Sequence, residues 1–280
     1  MIKDILVCLE GSASSEAATR TAIEIALERH ASLVGMAIVD EPGIRAATSV
    51  SIGGSSFKQQ RDKALLVDAR AQAAEWLGQF EQRCRSEGVV AHELEIVGRP
   101  AESIIGEMEL HDLTVMGRDA NFRLMTATED SATRERILRH ATHPVLLIPE
   151  TNPEGGLGQT VVVAYDGSEP SEHALTGFVQ SGLAESREIH VATVGDDGAK
   201  AWDTANGAVE KLRSFGIKAF TQNIVSLLPT SDALVKLGRD LGAGLFVMGA
   251  FARSRLVELI HGSGTREIVE HSPMPLCLQH

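Results

Sequence analysis

The sequence predicts an α/β protein made of two tandem, open, doubly wound parallel-sheet domains. Three observations lead there. Short apolar runs of strand length, among them Ile5–Leu9, Leu113–Met116, Val161–Ala164 and Leu245–Met248, alternate with longer helical patterns. The order of these elements restarts after Thr151–Gln159, a Pro/Gly-rich stretch reading TNPEGGLGQ. The second half then repeats the first at a period of about 130–155 residues, which makes a domain rather than a solenoid unit. Strands alternating with helices at this spacing give a parallel sheet with right-handed crossovers.

In the first half, Ile5–Leu9 is a strand, and Ser14-Ser15-Glu16 leads into an alanine-rich helix ending near Arg29. Leu33–Val39 is the second strand. Asp40 to about Lys58 reads as a Gly/Ser-containing loop. Ala69, Ala73, Trp76, Leu77, Phe80 and Cys84 recur at spacings of three and four, so the next helix has one apolar, core-facing stripe. Glu87-Gly88 stops it. Val89–Val97 alternates as a strand, and Pro100 opens a helix where its missing N–H is not needed. Leu113–Met116, a helix around Thr133–Arg139 and a strand after Pro144 complete residues 1–150. After the 151–159 linker, residues 160–280 repeat the pattern: Val161–Ser168 matches Ile5–Ser12, Ser171-Glu172 matches Ser15-Glu16, and Leu245–Gly249 matches Leu113–Gly117. Ser263–Glu267 is matched by Ser131–Glu135, and Pro275–Leu278 by Pro144–Leu147.

Composition narrows the function classes. The 280 residues are 43% apolar and 23% charged, which are globular values, and the formal net charge is −12. Such a balance argues against a nucleic-acid partner, which calls for a basic face, and suits a soluble cytoplasmic protein. No secretory signal or membrane-length apolar run is present. Cys8, Cys84 and Cys277 lack C-x-x-C spacing and sit in apolar periodic segments, so they read as small buried hydrophobes rather than metal or redox groups.

In open α/β sheets a ligand sits beyond the carboxyl ends of the strands, where strand order reverses. Those ends are Tyr165-Asp166-Gly167, the region near Val194, and Gly249 onward. Gly249 closes an apolar strand and Gly262-Ser263 opens a helix, so two glycine-marked bends offer unobstructed amides of the kind that cradle phosphate. The same spacing also suits an ordinary strand–loop–helix connection.

At Val247–Leu256, Gly262–Arg266 and Ser272–Leu276 the chain resembles the universal stress protein family in its tandem form, and the resemblance covers nearly the whole sequence. ATP-binding members carry G-x-x-G, nine residues, then G-S or G-T. The resemblance implies a Rossmann-like fold in each domain and ATP, with or without Mg²⁺, as the ligand. On this chain the pattern falls on Gly249, Ala252, Gly262 and Ser263 around the phosphates, with Asp166 at the nucleoside and backbone near Val194 at the adenine. Arg253 adds a guanidinium suited to phosphate oxygens, and Gly264 completes the implied set. Ala252 departs from the pattern, standing where the family has its second glycine. If that position needs positive φ, its Cβ costs about 1–2 kcal/mol, roughly tenfold in affinity. The resemblance also implies that the domains pair through their last strands, as a pseudo-twofold within one chain. Association of two chains into a homodimer is left open.

The first half departs further. Glu10 replaces the aspartate, Ala120 replaces the second glycine, and Glu129-Asp130 brings two carboxylates to the turn before Ser131. Like charge opposes a triphosphate, so the first domain is expected not to bind ATP. Two other functions remain in view: an interaction scaffold with both sites vestigial, and a slow ATPase, for which no residue makes a convincing base. No Ser-His-Asp spacing or H-E-x-x-H motif is present. His140, His143 and His271 lie near the ends of the last helices, where a structural role fits. Gly249→Val and Ser263→Asp are each expected to abolish ATP binding and leave the fold intact.

Overall fold

A computed structural model describes residues 1–46, 55–122, 131–152, 156–226, 228–250 and 263–280. Its strands are β1 (Asp4–Leu9), β2 (Ser32–Val39), β3 (Ala91–Val97), β4 (Leu113–Gly117), β5 (Val145–Ile148), β6 (Thr160–Ala164), β7 (Glu188–Val194), β8 (Ala219–Ile224), β9 (Leu245–Gly249) and β10 (Leu276–Gln279). The described helices are α1 (Ala13–Arg29), α2 (Glu41–Ala46), α3 (Ser55–Glu87), α4 (Pro100–Met108), α5 (Ser131–Arg139), α6 (Glu169–Gln180), α7 (Gly198–Ser214), α8 (Thr230–Asp240) and α9 (Ser263–His271).

All the strands join one ten-stranded sheet in the order β3-β2-β1-β4-β5-β10-β9-β6-β7-β8. Read outward from its centre, the order is the same on both sides, so the two halves are related by a pseudo-twofold. Every pairing is parallel except the central one, where Leu276, Cys277 and Leu278 of β10 lie opposite Leu147, Leu146 and Val145 of β5. These two short apolar strands cover each other's edges, which would otherwise be templates for aggregation.

The continuous apolar runs follow from burial on both faces. On one face Ile5, Val7, Leu146, Val161, Val163 and Val247 pack against α1, α3, α6 and α7, in a core that crosses the boundary between halves. On the other, Leu6, Cys8, Leu147, Val162 and Phe246 pack against α4, α5, α8 and α9. The three cysteines are buried and free, and desolvation pushes the thiols of Cys8 and Cys277 up to about 12 and that of Cys84 up to about 11.

Beyond the central strands, ion pairs and backbone contacts fasten the halves. The terminal ammonium of Met1 donates to Gln180 O at 2.8 Å, and Arg29 pairs with Glu185. On the opposite face Arg118 donates to the Ser272 carbonyl.

The structure corrects one element. The Asp40–Lys58 stretch is helical at both ends, as α2 and the start of α3, and residues 47–54 lie outside the described residues. Pro42 lies in the first turn of α2, where proline is compatible with a helix. Asp40 caps that turn, its Oδ1 accepting from Gly43 N at 2.9 Å, and the buried Ile44 anchors it. Among the described residues no helix is long and apolar enough to cross a membrane.

Candidate functional site

The two halves place equivalent loops at the carboxyl ends of β1 and β6, and each loop forms for the same local reason. A glycine with positive φ, Gly11 (79°) or Gly167 (76°), turns the chain out of the strand. A serine then caps the following helix: Ser12 Oγ accepts from Ser15 N at 3.2 Å and Ser168 Oγ from Ser171 N at 3.4 Å.

In the second half, Asp166 Oδ1 accepts from Ser168 N at 3.0 Å and from Ser168 Oγ at 2.5 Å. Its Oδ2 has no partner among the described residues, and the residue is half-buried. β6 lies between β7 and β9, with Ala164 opposite both Ala192 and Met248, so Asp166, Val194 and Gly249 sit at three neighbouring strand ends. Thr193 Oγ1 donates to Tyr165 O at 2.7 Å and ties the first two ends together. Among the described residues there is room above Gly167: a Cβ there would find only Thr204 Cγ2, at 3.5 Å. Ser263 and Gly264 open α9. Ala252, Arg253 and Gly262 lie outside the described residues, as does the Glu129-Asp130 turn.

Gly249 is a glycine for a reason the sequence did not reveal. It is not among the positive-φ glycines. Instead, a Cβ would lie 2.6 Å from Pro170 C and 2.8 Å from Ser171 N, because the first turn of α6 rests on it. Gly117 does the same under α1, where a Cβ would lie 2.8 Å from Ser15 N. The expectation that Gly249→Val would leave the fold intact is therefore corrected.

The first half uses the same loop differently. Glu10 spends both oxygens internally: Oε1 accepts from the Ser12 hydroxyl and from Ser12 N at 3.3 Å, and Oε2 accepts from Asn121 N at 3.3 Å. Above Gly11 a Cβ would lie 2.4 Å from Trp76 Nε1, so the indole lies across the loop. Burial raises the Glu10 carboxyl from its ordinary 4.5, with the Asp119 charge adding to the rise and the hydrogen bonds opposing it. A carboxyl with a raised folded value binds its proton more tightly when folded, so its contribution is present below the unfolded value and lost as pH rises through the folded one. Glu10→Gln should therefore flatten the fall in stability above pH 4.5, measured as urea midpoints of both proteins at pH 4 and pH 7.

Sequence reasoning missed two arrangements. One is Trp76 over Gly11, where the helical stripe marks the residue as core but not what it covers. The other is a triad in the second half: the Tyr165 hydroxyl donates to Glu172, and Lys211 Nζ donates to Glu172 Oε2 at 2.7 Å. The Tyr165 phenol is raised by burial and by that carboxylate, while Glu172 lies below its ordinary value because the two donors outweigh its burial. The repeated Glu16 and Glu172 were the available signal.

Comparison with known proteins agrees with this fold. The family model described as the universal stress protein family matches residues 1–149. Universal stress protein Slr1230 of Synechocystis sp. is 25% identical over 98% of this chain and 99% of its own. A universal stress protein from Archaeoglobus fulgidus has a solved structure with a TM-score of 0.71 at 19% identity, covering 99% of this chain and 95% of that one. One from Pseudomonas aeruginosa, described as a putative universal stress protein, aligns at a TM-score of 0.57 and 16% identity over 99% and 93%. With its first half matching the family pattern and its whole length aligned to a curated relative, the chain belongs to the universal stress protein family.

Proposed function

We propose that this protein is a cytoplasmic stress-response regulator that binds one adenine nucleotide, ATP by preference, in its second half. In this reading residues 1–150 form a non-binding domain, 151–159 a linker, and 160–280 the nucleotide-binding domain. The observation that carries it is the contrast between Asp166 and Glu10. Among the described residues Asp166 keeps Oδ2 available to accept from a ribose hydroxyl beside an open Gly167, whereas Glu10 has both oxygens engaged beneath Trp76. Val194 backbone would face the adenine. The bends at Gly249, Ala252 and Arg253, and at Gly262, Ser263 and Gly264, would receive the phosphates, with Mg²⁺ balancing their charge. Amides at the start of α9 favour an anion there.

Isothermal titration of the full chain with ATP and Mg²⁺ tests this. One site per chain is expected. Asp166→Ala should weaken it by about 10–100-fold, the worth of a charged hydrogen bond of roughly 1.5–3 kcal/mol. Ser263→Asp should abolish it by like-charge repulsion, and Glu10→Ala should leave it unchanged. Two sites per chain, or an Asp166→Ala protein that binds normally, would overturn the assignment. Ala252 in place of glycine favours a second reading, an interaction scaffold with no nucleotide. Absence of any heat at millimolar ATP would select it.

A further inference from the structure

A pocket of about 80 Å³ lies in the first half between α1 and α3, lined by Leu9, Glu16, Thr19, Trp76, Phe80 and Arg83 among others. It lies in the opposite half from the proposed nucleotide site and stands independently of it. The second half shows what the same place holds when it is filled. The repeat sets Leu9 against Tyr165 and Glu16 against Glu172. Trp76 and Thr204 are the residues facing Gly11 and Gly167, which fixes the register of α3 against α7 and sets Arg83 against Lys211. A size exchange supports that register. Phe80 packs on Gly35, where a Cβ would lie 2.4 Å from its ring, and the second half has Ala208 and Val191 at these two positions.

In the second half, then, a phenol fills the space between the helices, donating to a carboxylate that a cation also holds. In the first half the phenol is missing because Leu9 ends short of it. Glu16 is left with only Arg20, at 3.8 Å, and Arg83 has no side-chain partner among the described residues. The aromatic walls of Trp76 and Phe80, an exposed carboxylate and an unengaged guanidinium thus surround a vacancy shaped by the loss of a tyrosine tip.

We propose that this pocket binds a small monocyclic phenol, its ring against Trp76 and Phe80 and its hydroxyl donating to Glu16. The pocket is smaller than the roughly 150 Å³ cavity that encloses a benzene ring, so the ring enters edge first and its outer part stays between Glu16 and Arg83. A fused ring system or a nucleoside is too large. Ring faces supply the apolar contact, and the charged acceptor supplies the selectivity for a hydroxyl over a plain hydrocarbon.

The test titrates the full chain with p-cresol, and with toluene as the probe lacking the hydroxyl, reading saturation-transfer NMR and the melting temperature. Saturable p-cresol binding is expected, at least about tenfold tighter than toluene, the ratio that corresponds to one hydrogen bond of about 1.4 kcal/mol. Glu16→Gln should weaken p-cresol about tenfold and leave toluene unchanged. Leu9→Tyr should abolish binding of both probes and raise the melting temperature by filling the space from within. If Leu9→Tyr does not fold, the Glu16→Gln comparison decides alone. Equal binding of the two probes, indifference to Glu16→Gln, or no saturable signal would each overturn the proposal.

Discussion

Gly249→Val is expected to destabilise the protein by about 3 kcal/mol, the upper end of the range for overpacking a tight site. The added Cβ would lie 2.6 Å from Pro170 C and 2.7 Å from Pro170 O, and backbone in the first turn of a helix cannot rotate aside as a flexible side chain could. Relief requires α6 to lift from β9, taking Ala174, Leu175 and Phe178 out of the shared core. Gly117→Val should behave alike under α1, since its Cβ would meet Ser15 N at 2.8 Å. Urea denaturation of both variants checks this, and midpoints equal to the wild type's would refute it. The result has a bearing on function. Loss of ATP affinity in Gly249→Val would report a displaced helix, while Ser263→Asp, at the opening of α9, is the cleaner probe of the phosphate assignment.

Arg187→Ala is expected to lose about 3 kcal/mol of stability and to loosen the joint between the halves. The Arg187 side chain is 5% exposed. It donates from Nε to Gly158 O at 3.1 Å, from Nη1 to Leu183 O at 2.7 Å, and from Nη2 to Glu28 Oε2 at 3.3 Å. One guanidinium therefore binds the segment entering β6, the turn after α6 and the α1 helix of the other half. Glu28 is half-exposed and would be solvated in the variant, so the loss comes from two carbonyls deprived of a charged donor and from the space left behind. Arg187→Lys should recover only part of it, because an ammonium cannot reach three acceptors from one planar fork. Thermal melts of the three proteins, with hydrogen exchange at Glu28 and Leu183, test the claim. Unchanged exchange there in Arg187→Ala would refute it.

Much of this fold was legible because its signals are local. Ile5–Leu9 and Leu245–Met248 announce strands buried on both faces by composition alone, and Ser12 and Ser168 mark helix starts through bonds reaching only three residues ahead. The repeat was legible because duplicated loops keep the same Gly-Ser turn. The α2 helix was not, since Pro42-Gly43 carries the signal of a break until Asp40 and Ile44 are placed. The candidate site was legible as strand ends and glycine-marked bends, without the partners of its side chains. That Asp166 holds an oxygen free among the described residues while Glu10 does not depends on Asn121, more than a hundred residues from Glu10.

By itself, then, the sequence determined the order of strands and helices, the duplication and the family, since each is written in residues close together along the chain. Only the tertiary structure decided the antiparallel register of β5 against β10, that Gly249 is small to admit a helix, and that, among the described residues, Trp76 covers one loop while Thr204 leaves its twin open. Those outcomes rest on contacts between distant segments, whose geometry is set by helix register and close packing rather than by any local pattern.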